Sequence, residues 1–172
     1  MNKLKLNIGC GTDYRDGFVN IDGSDSLNKV DKLIRLNDES LADHFCPESV
    51  DFILANDIIE HHFHWEALSI LSDFYKILKK GGHAEIRVPD CEWLINTTSL
   101  SIKRKIIMIF GGQDIPQGVD PKMDESRKKY PEFFCHKYGW VKEKLLEDLS
   151  VLGFINIQSE RVDSNLVTKA FK

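Results

Sequence analysis

Only seven residues, Thr12 to Phe18, separate Gly11 from Val19. Before them, Leu4, Leu6 and Ile8 alternate into Gly9-Cys10-Gly11; after them, Phe18, Val19 and Ile21 run into Asp22. Both stretches read as short strands. A crossover between parallel strands normally takes a dozen or more residues including its helix, so no full helix fits here and one short turn is expected instead. The glycines leave bare backbone against which a ligand can lie, because no Cβ blocks the approach. An acid at the tip of the next strand can accept hydrogen bonds from both hydroxyls of a ribose. Gly9, Cys10, Gly11, Asp22 and Gly23 together describe a nucleoside site, with Tyr14 and Arg15 on the turn beside it.

Beyond this loop, strands alternate with helical stretches, the pattern of an α/β, Rossmann-like, doubly wound sheet. Strands are expected near 4–8, 18–22, 31–36, 50–55, 83–88, 154–161 and 166–171, and helices near 39–46, 65–79 and 141–151. Trp65, Leu68, Leu71, Tyr75 and Leu78 recur at helical spacing and read as a core stripe, with Gly81-Gly82 as the C-cap. The short Val162 to Asn165 link makes the last two strands an antiparallel hairpin on an otherwise mostly parallel sheet. Between about 90 and 138 the rhythm breaks, with Gly111-Gly112, Pro116, Pro121, Pro131 and a helical piece near 92–110. This reads as an insertion after the fifth strand that overhangs the pocket as a lid or substrate wall. Residues 1–172 are expected to form one domain.

The segments LKLNIGCGTDYRDGFVNID, SVDFILANDIIEHH (49–62) and ILKKGGHAEIRVPD (77–90) stand in an order and spacing that resemble the class I S-adenosylmethionine (SAM) dependent methyltransferases. HKYGW (136–140) and LLEDLSVLGFINIQ resemble the tail of small members associated with surface-polysaccharide genes. The chain departs from that pattern at Asp13, in place of a third glycine, and at Asn7, where an acid often begins the motif. The resemblance implies SAM as cofactor and S-adenosylhomocysteine as product. It implies Gly9 and Gly11 beside the methionine part, Asp22 on the ribose, Asn37 or Asp38 at the adenine, and Asn56, Asp57 and Ile58 around the sulfonium. Asn37-Asp38-Glu39-Ser40 also reads as a helix N-cap, and Asn56 as a cap for the next helix. The missing helix disfavours an NAD-dependent oxidoreductase or epimerase, whose pyrophosphate needs a helix N-terminus. A SAM-binding regulatory or assembly subunit without catalysis is the other alternative.

Hydrophobic residues at 42%, charged residues at 29% and a mean hydropathy of -0.29 are globular values. No apolar run approaches a membrane span, and the N-terminus already reads as strand, so a cytoplasmic protein is expected. Cys10, Cys46, Cys91 and Cys135 lie far apart with no CxxC pair, which argues against zinc and a disulfide framework. Residues 1–60 hold 6 Lys and Arg against 12 Asp and Glu, whereas residues 101–130 hold 7 against 4. The acidic half suits a cationic sulfonium; Lys103, Arg104, Lys105, Arg127, Lys128 and Lys129 suit a small anionic acceptor. A pI near 5.9 gives no nucleic-acid signal, and the oligomeric state is open.

Methyl transfer from a sulfonium is an in-line displacement that mainly needs alignment. A hydroxyl acceptor also needs a base, for which His136, His61 and the carboxylate of Asp57 are the candidates, with Tyr138 and Gln113 shaping the acceptor site. Glu60, His61, His62 and His64 lack HxxxH spacing, and adjacent histidines on a helix diverge, so no metal site is expected. The expected activity is O-methylation of a sugar, phosphosugar or related metabolite.

Overall fold

A computed structural model describes residues 3–113 and 120–172. Pro116 of the expected insertion lies outside the described residues. Strands β1 (Lys5–Ile8), β2 (Val19–Asp22), β3 (Lys32–Leu33), β4 (Val50–Asn56), β5 (Leu78–Pro89), β6 (Ile155–Val162) and β7 (Asn165–Phe171) form one sheet in the order β3-β2-β1-β4-β5-β7-β6. The first five strands run parallel, and β7 pairs antiparallel with both β5 and β6. This is the expected α/β fold, its C-terminal hairpin included. Strand order reverses between β1 and β4, and ligands in open α/β sheets bind outside the carboxyl ends of the strands at that point.

No helix lies between β1 and β2. A buried asparagine pair holds the loop instead. Asn7 Nδ2 donates to the Asp13 carbonyl (2.8 Å) and to Asn20 Oδ1 (3.0 Å); Asn20 Oδ1 also accepts the Arg15 N–H (2.9 Å), while Asn20 Nδ2 donates to the Arg15 carbonyl (3.0 Å). Both side chains are at most 3% exposed, so each polar atom needs an internal partner, and the loop backbone supplies it. Asn7, at the position where an acid often stands, thereby does the work of the missing helix.

Helix α1 (His64–Ile77) buries Ala67, Ile70, Leu71, Phe74 and Ile77. Of the expected stripe Leu71 and Leu78 are buried and Tyr75 packs against the core, whereas Trp65 is 68% exposed and stacks on Phe63 at 4.8 Å. The two sets share Leu71, and the buried face runs through Ile70, Phe74 and Ile77. The helix also ends earlier than expected. Gly81 (φ +78°) and Gly82 lie within β5, exchanging hydrogen bonds with Lys172 at 2.7 and 3.0 Å, so the glycine pair bends a strand rather than capping a helix. The expected strand 31–36 shrinks to Lys32–Leu33, and the expected helix 39–46 to a 3₁₀ turn, Leu41–Asp43. The helical piece near 92–110 is two helices, α2 (Cys91–Asn96) and α3 (Ile102–Phe110), and a further helix, α4 (Pro121–Lys129), begins at Pro121. There Asp120 caps the N-terminus by accepting from Lys122 N (2.7 Å), and proline is tolerated because a first-turn N–H has no helical partner. Helix α5 (Lys142–Val151) buries Leu145 and Leu149. Among the described residues no helix is long and apolar enough to cross a membrane.

Candidate functional site

A cavity of about 490 Å³ opens where β1 and β4 diverge. Of the residues expected from sequence, Gly9, Cys10, Gly11, Arg15, Asp22, Gly23, Asn37, Asn56, Asp57, Ile58, His61 and His136 line it, whereas Tyr14, Asp38, Gln113 and Tyr138 do not. Tyr14 turns away to Asp31 (2.9 Å) beneath the Lys29 ammonium. Tyr138 packs its ring on His64 and Trp140. The N-cap of the Leu41–Asp43 turn is Ser40, so capping does not occupy Asn37.

The glycine loop and β2 are joined through Asp22. Its Oδ2 accepts the Gly11 N–H at 2.8 Å and its Oδ1 accepts the Ser24 N–H at 2.9 Å. Burial raises the Asp22 pKa above the usual carboxyl value, against the lowering effect of the backbone N–H groups of Ser24, Gly11 and Gly23. Gly9 (φ +64°) touches the β4 end so closely that a Cβ would lie 2.4 Å from Ile58 Cδ1. The glycine is therefore required twice, by conformation and by space. Cys10, 3% exposed, has its thiol pKa pushed up to about 12 by burial and by Asp22 and Asp31. It is a packing residue and an inert thiol.

Asp57 follows β4 in the left-handed region (φ +53°), an uncommon conformation for a residue with a Cβ. Its N–H donates to the Arg87 carbonyl at 2.9 Å, and its carboxylate takes both Nε (2.9 Å) and a terminal nitrogen of Arg87. The guanidinium takes one lone pair on each Asp57 oxygen, so a role for Asp57 as base has to compete with this pair. Arg87 escaped sequence reasoning, although its place near the carboxyl end of the fifth strand was a usable signal.

His61 sits in a 3₁₀ turn, Ile59–His61, rather than at a helix start. Its Nδ1 is 3.2 Å from the Cys135 carbonyl, which fixes the N–H there and leaves Nε2 as a lone pair. The His136 ring lies 4.8 Å from it, edge to face. Burial, then the neighbouring His136, lowers the His61 pKa to about 3, and burial lowers that of His136 as well, so both rings are kept neutral. The backbone holds the pair together: the Glu60 carbonyl accepts from Lys137 N (2.8 Å) and Tyr138 N (3.2 Å).

Met123, Ser126, Arg127, Phe133 and Phe134 from the segment after β5 complete the wall. Of the expected basic residues, Arg127 reaches the cavity, bonded to the Gly112 carbonyl (3.2 Å) and Asp124 (3.1 Å). Lys129 pairs with Asp25 instead, and Lys103, Arg104 and Lys128 are exposed.

No protein-family model matches the sequence, and no curated protein matches it. Among solved structures the fold is similar to that of a SAM-dependent methyltransferase from Archaeoglobus fulgidus, at 15% identity over 99% of this chain and 86% of that one (TM-score 0.66). A SAM-dependent methyltransferase from Mesorhizobium loti is similar at 12% identity over 99% and 91% (0.64), and one from Methanosarcina mazei at 17% over 100% and 93% (0.62). The likeness is one of fold.

Proposed function

We propose that this chain is a SAM-dependent methyltransferase that methylates an oxygen of a small anionic acceptor such as a sugar or phosphosugar. The observation that carries the reading is the joined pair of Gly11 and Asp22 beside a loop with no helix. Bare glycine backbone suits the methionine part of the cofactor, and the carboxylate, with lone pairs left over, suits the ribose hydroxyls. A dinucleotide would lack its pyrophosphate site, because no helix N-terminus follows the glycines. SAM carries no phosphate and needs none. Asn37, with Ile34, Leu36 and Phe133 as apolar faces, suits the adenine. Arg15, Arg87 and Arg127 line the cavity, each paired with an acid (Asp13, Asp57 and Asp124), and an anionic acceptor would draw on their remaining N–H groups. His136 and His61, both neutral with a lone pair to spare, serve the proton that a hydroxyl must lose. The segment 90–138 acts as the acceptor wall.

Calorimetric titration with S-adenosylhomocysteine and, separately, NAD tests the cofactor. Binding of the first and not the second is expected, and the reverse would overturn the reading. Turnover is then followed as S-adenosylhomocysteine release from SAM with sugar and phosphosugar acceptors; binding without turnover on any of them would mark a non-catalytic subunit.

A further inference from the structure

Glu60 is 1% exposed, and both of its carboxylate oxygens are buried without a hydrogen-bond partner. An ionised carboxylate in that state costs several kcal/mol unless a cation meets it. Ligand atoms of Glu60, His61 and His136 lie within 4.8 Å of one another. The His61 imidazole is bonded to the backbone through Nδ1 to the Cys135 carbonyl, which leaves its Nε2 as a lone pair, and the His136 ring lies beside it at 4.8 Å. Metal-ligating histidines characteristically donate their other N–H to such a carbonyl, which fixes the tautomer and aims the lone pair.

We propose that Glu60, His61 and His136 form a binding site for one divalent transition-metal ion of the zinc class in the wall of the cavity. Two imidazoles and one carboxylate suit Zn²⁺, Co²⁺ or Fe²⁺ and leave coordination positions open toward the cavity. Ligand atoms around such an ion stand roughly 3.3 Å apart at bond lengths of about 2.0–2.2 Å, so the present spacing of up to 4.8 Å closes by as much as about 1.5 Å through side-chain torsions. The site was hidden from the sequence because the third ligand arrives from the far side of the insertion. The Glu60 carbonyl binding Lys137 N and Tyr138 N sets its position.

The catalytic consequence rests on the methyltransferase reading; the metal site itself does not. An acceptor hydroxyl bound to the ion loses its proton to solvent near neutral pH. The resulting oxygen bonds the methyl carbon, the carbon–sulfur bond breaks with its electron pair on sulfur, and the sulfonium becomes a neutral thioether. The two histidines are then ligands, and the ion replaces a side-chain base.

The test uses untagged full-length protein stripped with a chelator and titrated with Zn²⁺ by calorimetry and with Co²⁺ by visible absorption. One ion per chain is expected, with Co²⁺ giving ligand-field bands. Glu60→Gln, His61→Ala and His136→Ala should each weaken binding by about 100-fold or more, and His44→Gln should bind like the wild type. Circular dichroism checks each variant's fold; should the variant of the buried Glu60 fail to fold, the half-buried His61 and His136 variants decide. No stoichiometric ion in the wild type, or wild-type affinity in any folded ligand variant, overturns the site. S-adenosylhomocysteine is titrated in parallel. Its failure to bind sinks the methyltransferase reading and leaves the metal result standing.

Discussion

Asp22 accepts the backbone N–H of Gly11 at 2.8 Å, so the residue suited to the ribose also holds the loop suited to the methionine part. Asp22→Ala therefore removes two supports at once. Affinity for S-adenosylhomocysteine should fall by about 2 to 3 kcal/mol, the scale of charge-assisted hydrogen bonds. Asp22→Asn keeps one oxygen to accept from Gly11 or Ser24 and should fall in between. Calorimetry on the three proteins checks the order; equal affinities would remove Asp22 from the site.

The two loop glycines should fail differently. Gly9→Ala drives a methyl into Ile58 at 2.4 Å on a left-handed backbone, so it should lower the melting temperature sharply. At Gly11 a Cβ meets nothing nearer than Met123 at 3.9 Å, although φ is +51°. Gly11→Val should cost about 1 to 2 kcal/mol of stability and abolish cofactor binding by filling the cavity. Melting curves and ligand titration together separate the two effects.

On the acceptor side, His136→Ala should lower kcat by about 100-fold or more, the usual contribution of a group that handles the acceptor proton. S-adenosylhomocysteine affinity should be unchanged. His61→Ala, whose partner ring is 4.8 Å away, should behave alike. Steady-state kinetics with the true acceptor would reject this role if both variants kept full turnover.

Asp73 gives an acid-sensitive anchor away from the site. Burial alone would raise its pKa; hydrogen bonds from Lys76 (2.8 Å), Ser40 (2.5 Å) and Ala42 N (3.4 Å) outweigh that and lower it. A carboxyl depressed on folding contributes stability that is present above its unfolded pKa and lost as pH falls through the folded one. Asp73→Asn should cost about 1 to 3 kcal/mol at pH 7. The difference from wild type should shrink as urea denaturation is repeated below pH 4.

The parts legible in the sequence were local. The glycine loop, the terminal acid of β2 and the C-terminal hairpin each depend on residues a few positions apart. The Gly11 to Val19 spacing alone excluded a helix. The misplacements arose where two local readings were equal. Gly81-Gly82 serves a helix end or a bent strand alike, and pairing with Lys172 decided for the strand. The α1 stripe shares Leu71 with the buried face, and packing left Trp65 outside it. Glu60 beside His136, and Arg87 on Asp57, are contacts across the fold that no spacing announces.

The segment after β5 leaves and rejoins the sheet at one place: the Cys91 N–H donates to the Trp140 carbonyl at 3.0 Å, and the Glu60 carbonyl grips Lys137 and Tyr138 just before it. A stretch of chain whose ends are already pinned together can change length at little entropic penalty, on the order of 0.6 kcal/mol for each doubling. Residues 97–134 are thus an exchangeable cassette set in a fixed frame. Selection can rewrite what the cavity accepts on that side while the glycine loop, Asp22 and the sheet beneath them stay as they are.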